Sequence, residues 1–522
     1  MKLLSGSVLP TQPWELQGAE SVGLSLSQFR FAISFLASVL VGFGLRHIRS
    51  RQGAFALFWK GAVSEHIFLT GFALIYYPFG NGVFHAVFTS ALTYAIMSRF
   101  RTHCGTLTWM TIFPYLIANH VLQASGLSWE KGELDFTGAQ MVLTLRLIAA
   151  AVCYQDGARS IEKLRPYAVG NRLEELPGAL EFFAYCFASG NLLAGPFYEI
   201  KDFLDYASSR GDWAADGKPQ PSCLRPALLR LAKGLLCAAA WLAMERRTGG
   251  AYLSSEAWRA SSVPRRMLMV WVVGLTYRLK YYFAWGVAEA GLIASGQDFA
   301  GWEPETGRPL WNRYVNARVR RVEFQASLAK IVADWNVRTG VWLRHYVYER
   351  ATPAGDRPGL WTLVLTQTVS GVWHGLFPGY WGFFLTSALM IEMSKVLYRY
   401  EQGWSSRLRD GMPWRILQAL ISSYVLNYSA MAFAVLRWDA MWRVWRELAF
   451  TGHAIIFGIL LLGVVLPPRR RKGAGKDRHK RPDAAADQGE AKALQEGLKI
   501  EEEVHRREEE RAKEPQELKK EQ

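Results

Sequence analysis

The sequence predicts an all-α polytopic membrane protein followed by a charged tail, and three observations predict it. Half of the 522 residues are hydrophobic and 13% are aromatic, 21 of them tryptophan. The apolar residues gather in runs of about 15 to 25, each long enough as a helix to cross or nearly cross a hydrocarbon core about 30 Å thick. From Pro467 onward the composition turns to Glu, Lys, Arg and Ala with almost no large apolar residue. A soluble chain of this length would instead divide into several domains joined by turn-rich linkers. The mean hydropathy lies near zero only because that tail dilutes the apolar body. The expected organisation is an N-terminal segment over 1–28, a membrane body over 29–466 and a cytosolic tail over 467–522.

The first run is Phe31 to Leu45, set between Arg30 and the basic cluster Arg46 to Arg51. Ala54 to Tyr77 follows and stops at the turn signal Pro78-Phe79-Gly80-Asn81-Gly82. Phe84 to Met97 ends at Arg99 and Arg101, and Thr106 to Leu122 carries Pro114, which neighbouring helices tolerate in a membrane. The polar stretch Ser128 to Asp135 precedes Met141 to Tyr154, and residues 155–178 read as a charged loop. Phe182 to Phe197 is apolar but holds Ser189-Gly190-Asn191 and Gly195-Pro196, so it predicts a broken or re-entrant element. Ala227 to Met244 and Met267 to Ala294 are the next spans, then a long polar segment over 297–358. Trp361 to Val372, Trp381 to Leu397, Trp414 to Leu436 and His453 to Leu466 complete the body, for a total of about eleven spans at the usual residue count per crossing.

Charge and cysteine content narrow the classes of partner. The net charge of +16 sits in loops and at the start of the tail, which on a membrane protein points to anionic lipid and cytosolic retention, not to nucleic acid. The five cysteines, Cys104, Cys153, Cys186, Cys223 and Cys237, lack metal-ligand spacing and imply neither a zinc site nor a disulfide framework. Residues 1–28 lack the charged-then-apolar order of a cleaved signal, so the first span is expected to direct insertion. Arg469-Arg470-Arg471-Lys472 reads as a cytosolic stop, and the tail as disordered or as a fraying charged helix. Its Lys519 and Lys520 fit the dilysine retrieval signal of endoplasmic-reticulum membrane proteins, a receptor-read address.

The stretch from Asp334 to Met390 carries the chemistry. His374 lies in Trp373-His374-Gly375, flanked by apolar runs, and an ionisable group at that depth raises a functional hypothesis. A neutral imidazole there serves as a general base; the other reading is a structural histidine bonded to a backbone carbonyl. Asn336 could donate to a developing oxyanion or orient a nucleophile without an ionisation cost, though asparagine in a polar loop is usually unremarkable. Arg278-Leu279-Lys280-Tyr281-Tyr282 places two cations inside an apolar run, suited either to a phosphate or to snorkelling at a helix end. Arg278, Lys280, Tyr281 and Tyr282, with Trp335 and Trp373, form the candidate substrate-binding set.

Taken together, these residues resemble the membrane-bound O-acyltransferase family, in its lysophospholipid acyltransferase branch of the plant and algal lysophosphatidylcholine type. The resemblance rests on Ala333-Asp334-Trp335-Asn336 leading to Trp342 through Tyr348, and on Thr366 through Ser370 leading to Trp373-His374-Gly375-Leu376-Phe377-Pro378-Gly379-Tyr380. Arg278 through Trp285, Leu310 through Arg313, Ser189 through Glu199 and Cys104 through Trp109 add to it, so it covers roughly residues 30–440. The resemblance implies a buried reaction chamber in which acyl-CoA, a co-substrate and not a cofactor, gives its acyl group to the hydroxyl of a lysophospholipid. It also implies that His374 and Asn336 are the catalytic pair, with no metal. Two rivals remain at this stage: the same fold acting on a sterol, a diacylglycerol or a protein, and a lipid transporter or scramblase without catalysis.

Overall fold

A computed structural model describes residues 9–50, 61–124, 136–188, 191–214, 220–352 and 359–466. The polar stretch 128–135, the start of the second apolar run and the whole tail, including Lys519 and Lys520, lie outside the described residues. The body is helical almost throughout, and the long helices fall where the apolar runs fall, with shorter ones inside the polar segments. In the first half they are α1 (Pro13–Val22), α2 (Leu26–Ser50), α3 (Ala62–Phe79), α4 (Val83–Arg99), α5 (Cys104–Ala124) and α6 (Thr137–Asp156). The second half holds α7 (Ala179–Phe187), α8 (Leu224–Thr248), α9 (Val263–Ser295), α10 (Val319–Phe324), α11 (Leu328–Asp334), α12 (Val337–Leu343), α13 (Leu360–His374), α14 (Pro378–Glu401), α15 (Met412–Val435), α16 (Trp438–Glu447) and α17 (Thr451–Val465), with shorter turns between.

Local chemistry sets several boundaries. Proline occupies the first turn of α9, α14 and α15, where its missing N–H costs nothing and its fixed φ already suits the helix. The 33-residue α9 stops at Gly296, which takes φ +84°, a left-handed cap that a side chain would oppose. α6 is buried on every side, from Thr137 to Asp156, and its all-round apolar sequence fits a central post better than a lipid-facing wall.

Two expectations are corrected. The protein is not wholly α-helical: β1 (Phe299–Trp302) and β2 (Pro309–Trp311) form an antiparallel hairpin inside the long polar segment. The number of spans also falls below about eleven when length and composition are both required. Among the described residues, four helical segments qualify, Leu26–Ser50, Thr137–Asp156, Leu224–Ser254 and Met412–Val435, and a fifth if the pair α16 and α17, bent by 75°, makes one span. The physical reason is twofold. Val83–Arg99, Leu360–His374 and Thr451–Val465 are 17, 15 and 15 residues long; Ala62–Phe79, Cys104–Ala124 and Pro378–Glu401 reach 18, 21 and 24 residues but, like α9 with its Arg278, Lys280 and Glu289, are too polar.

The segment expected to break does break. α7 ends at Phe187, a four-residue helix spans Asn191–Ala194, and Gly195 at φ +84° leads into an extended Phe197 to Glu199. A helix that ends inside apolar surroundings leaves carbonyls without donors. Arg146 of α6, fully buried, supplies them: its Nη1 donates to the carbonyls of Tyr185 at 2.9 Å and Cys186 at 3.3 Å. Glycine then permits close packing, since a Cβ at Gly71 of α3 would lie 1.7 Å from the Phe187 carbonyl oxygen.

Candidate active site

His374 is the last residue of α13, and Gly375 makes the elbow into α14 by adopting φ +132°. Four aromatic rings surround the imidazole. Phe384 stacks on it at 5.0 Å, Phe433 meets it edge-on at 5.2 Å, and Trp373 and Tyr380 stand at 4.6 and 5.8 Å. The ring nevertheless keeps some accessible surface, and among the described residues neither nitrogen has a hydrogen-bond partner. The structural-histidine reading, which needs a bond to a backbone carbonyl, is therefore not what the geometry presents.

The box around His374 is fixed by backbone contact. The Gly379 N–H donates to the Leu436 carbonyl at 2.7 Å, and a Cβ at Gly379 would sit 2.1 Å from the Ala432 carbonyl oxygen. Only glycine lets α14 and α15 meet at this point, and the meeting presses Phe433 toward His374. Trp373, expected among the substrate-binding residues, anchors the end of α13: its indole N–H donates to the Met141 carbonyl of α6 at 2.8 Å.

Asn336 caps the N-terminus of α12 in the left-handed region, at φ +48° and ψ +49°, a conformation that asparagine tolerates better than most residues. Its side chain makes no capping bond and, among the described residues, no other hydrogen bond. The backbone on either side is held instead. Buried Asn316 accepts from the Val337 N–H through its carbonyl at 2.8 Å and from the Arg338 N–H through its Oδ1 at 3.1 Å. Asn316 in turn donates its own N–H to the Glu289 carboxylate at 2.9 Å, and Glu289 is paired with Arg230. A strained, externally held backbone bearing an unengaged amide is a common arrangement at functional sites.

No hydrogen bond joins His374 to Asn336; α9 touches the neighbours of both. On one side of α9, Trp335 packs on Tyr281 and Tyr282 at 5.7 Å each and on Trp285 at 4.8 Å. One turn earlier on the same face, the Tyr277 hydroxyl donates to the Ala434 carbonyl at 3.2 Å, beside Phe433. Tyr277, Lys280 and Tyr281, at i, i+3 and i+4, thus form one stripe of α9 that meets Trp335, next to Asn336, and Ala434, next to Phe433.

The two cations of α9 have different surroundings. Arg278 is committed to protein: its Nε and Nη2 donate to the two Glu323 oxygens at 2.7 and 2.8 Å, and its Nη1 to Asn427 Oδ1 at 2.5 Å. The Tyr282 hydroxyl completes the set on Glu323 at 2.7 Å. Gly274 makes room, because a Cβ there would stand 1.9 Å from the Asn427 oxygen. Arg278 and Tyr282, both expected to bind substrate, are parts of a lock joining α9, α10 and α15. Lys280 has no carboxylate within ion-pair distance among the described residues; its ammonium lies 5.6 Å from the Tyr277 ring centre and 5.7 Å from that of Tyr281.

The lock makes a stability prediction. Arg278→Leu strands the Glu323 carboxylate in a largely covered position, a change that costs about 3–5 kcal/mol for a buried pair. The Arg278→Leu/Glu323→Leu double variant removes both charges and is expected to regain most of that loss. Thermal unfolding in detergent, followed by size exclusion, distinguishes this from additive damage.

Some of the site was not visible in the sequence. Asn316, Glu323 and Asn427 act on residues 22 to 149 positions away, with no local periodicity to mark them. Asn336 was legible through the stretch Ala333-Asp334-Trp335-Asn336 and not through any local periodicity. His120, beside the end of α13, left no signal. Among the described residues no cluster of His, Cys, Asp or Glu could hold a metal ion.

Residues 121–435 match the MBOAT, membrane-bound O-acyltransferase family. Over 459 residues the chain is 36% identical to "Lysophospholipid acyltransferase 1" of Arabidopsis thaliana, covering 86% of this chain and 96% of that one. It is 35% identical to "Lysophospholipid acyltransferase 2" of the same plant over 467 residues, covering 87% and 98%. With "Lysophospholipid acyltransferase" of Schizosaccharomyces pombe it shares 27% identity over 407 residues, covering 75% and 78%.

Proposed function

Because this chain belongs to the membrane-bound O-acyltransferase family, we propose that it transfers an acyl group from acyl-CoA to the free hydroxyl of a lysophospholipid, lysophosphatidylcholine first among them. The observation that carries the reading is the pair of polar side chains, His374 and Asn336, neither hydrogen-bonded through its side chain among the described residues, with α9 touching the neighbours of both. Both keep part of their surface open in rigid surroundings, an arrangement that suits a substrate.

His374 accepts the hydroxyl proton as the lysophospholipid oxygen attacks the thioester carbonyl carbon. The tetrahedral intermediate then expels the CoA sulfur, the C–S bond breaks, and the proton on His374 passes to the departing thiolate. Diacyl phospholipid and free CoA leave, and the imidazole returns to its neutral form. Asn336 donates its amide N–H either to the oxyanion or to the attacking group. Aromatic walls around His374 limit water, which would otherwise hydrolyse the thioester.

Lys280 is assigned to the phosphate of the lysophospholipid, since its ammonium lies 5.6 and 5.7 Å from two tyrosine ring centres and, among the described residues, no carboxylate comes within ion-pair distance. The enzyme is a multi-pass membrane protein, placed by this reading in the endoplasmic reticulum, with the basic cluster Arg469 to Lys472 holding the tail in the cytosol.

Microsomes containing the protein, given labelled oleoyl-CoA and lysophospholipids of different headgroups, test the reading. Labelled diacyl phospholipid and stoichiometric free CoA are expected. A transporter would release no CoA, and a sterol or diacylglycerol acyltransferase would leave every lysophospholipid unlabelled. In the same assay Lys280→Met is expected to raise the KM for lysophospholipid about 10-fold, the size of one lost charge-assisted contact, with less effect on the KM for acyl-CoA. Equal KM values would remove Lys280 from the phosphate site.

A further inference from the structure

We propose that His120 is a positioning residue for acyl transfer, holding the backbone that carries His374; the proposal rests on the reading of His374 as the catalytic base. His120 lies near the end of α5, 253 residues from Trp373, and is 8% exposed. Its Nε2 stands 3.0 Å from the Trp373 carbonyl oxygen. That oxygen has no hydrogen to give, so Nε2 carries the proton and donates.

The bond falls where the helix needs it. Trp373 is the penultimate residue of α13, and the last carbonyls of a helix have no donor within it. Gly375 cannot supply one, since its own N–H turns back to the Gly371 and Val372 carbonyls at 3.1 Å. The residue before His374 is therefore gripped twice, through its indole by the Met141 carbonyl of α6 and through its carbonyl by His120 of α5. The imidazole continues along the peptide that follows, for a Cβ at Gly375 would lie 3.6 Å from His120 Nδ1. The His374 ring is caged by aromatic contacts, with no hydrogen bond among the described residues to orient it. Its aim thus depends on where the backbone sets its Cα. Displacing a reacting group by about 1 Å costs roughly 100-fold in rate, so a grip on this carbonyl matters to turnover and little to substrate affinity.

The test compares His120→Gln, which keeps an N–H donor, with His120→Leu, which keeps bulk and loses the donor. Full-length protein in microsomes is assayed with labelled oleoyl-CoA and lysophosphatidylcholine, normalised to the folded fraction by size exclusion in detergent. His120→Leu is expected to lower kcat about 10- to 100-fold with both KM values within about 3-fold of wild type, and His120→Gln to recover kcat to within about 3-fold. Equal kcat in the two variants, whether low or normal, overturns the proposal, as does an effect confined to KM. Failure of both variants to accumulate as folded protein makes His120 part of the scaffold and overturns it too. His374→Ala runs alongside: if that variant is fully active, the catalytic reading itself falls, independently of any result at position 120.

Discussion

His374→Ala is expected to lower acyl transfer from oleoyl-CoA to lysophosphatidylcholine by on the order of 10²- to 10⁴-fold, the usual contribution of a general base. The fall should appear in kcat, because the imidazole acts on the proton in flight and contributes little to holding either substrate. His374→Gln keeps polarity and approximate size but cannot take a proton, and it should be as inactive as alanine. Both variants should insert and fold, since His374 bonds to nothing among the described residues and its aromatic neighbours are held by the contact of Gly379 with α15. Labelled product formed by microsomes at matched protein levels is the measurement. Activity in His374→Ala equal to wild type would make the histidine a packing residue and dismiss the mechanism.

The second large effect is expected at Asn336, where backbone and side chain make separate demands. The φ of +48° suits glycine and asparagine and penalises most other residues. Asn336→Gly keeps the backbone comfortable and deletes the amide; Asn336→Ala deletes the amide and adds backbone strain of about 1–2 kcal/mol. Losing one preorganised donor to an oxyanion costs about 10²- to 10³-fold in kcat. Both variants should therefore lose that factor, and only the alanine variant should also lose thermal stability. If glycine restored full activity, the amide would have no part in the chemistry and the position would matter only for its turn.

Much of the fold was legible because membrane helices advertise themselves: a run of apolar residues long enough to cross lipid has few alternatives. Even the break after α7 was written locally, in Ser189-Gly190-Asn191 and Gly195-Pro196. The hairpin of Phe299–Trp302 with Pro309–Trp311 was not, because two strands of four and three residues leave no usable alternation. His374 and Asn336 stood out through their motifs, yet what holds them did not. Arg278 looked like a phosphate ligand in sequence because its partner, Glu323, sits 45 residues on and reaches it only through the packing of α10 on α9. Pairings of that range are a property of the assembled fold, and a string of residues carries them only implicitly.

The break after α7 has one more consequence. Upstream of it Arg146 reaches from α6 to the Tyr185 and Cys186 carbonyls, and downstream Arg338 Nε donates to the Phe197 carbonyl at 2.9 Å, two residues after Asn336. Glu199 then accepts from the hydroxyls of Tyr167 and Tyr346 at 2.6 Å each. The end of α7 is thereby tied to α6, and Phe197 and Glu199 to side chains outside the broken segment. Loops are usually where a fold yields; here hydrogen bonds from α6 before the break and from the start of α12 after it tie the chain on both sides to the elements that frame the site.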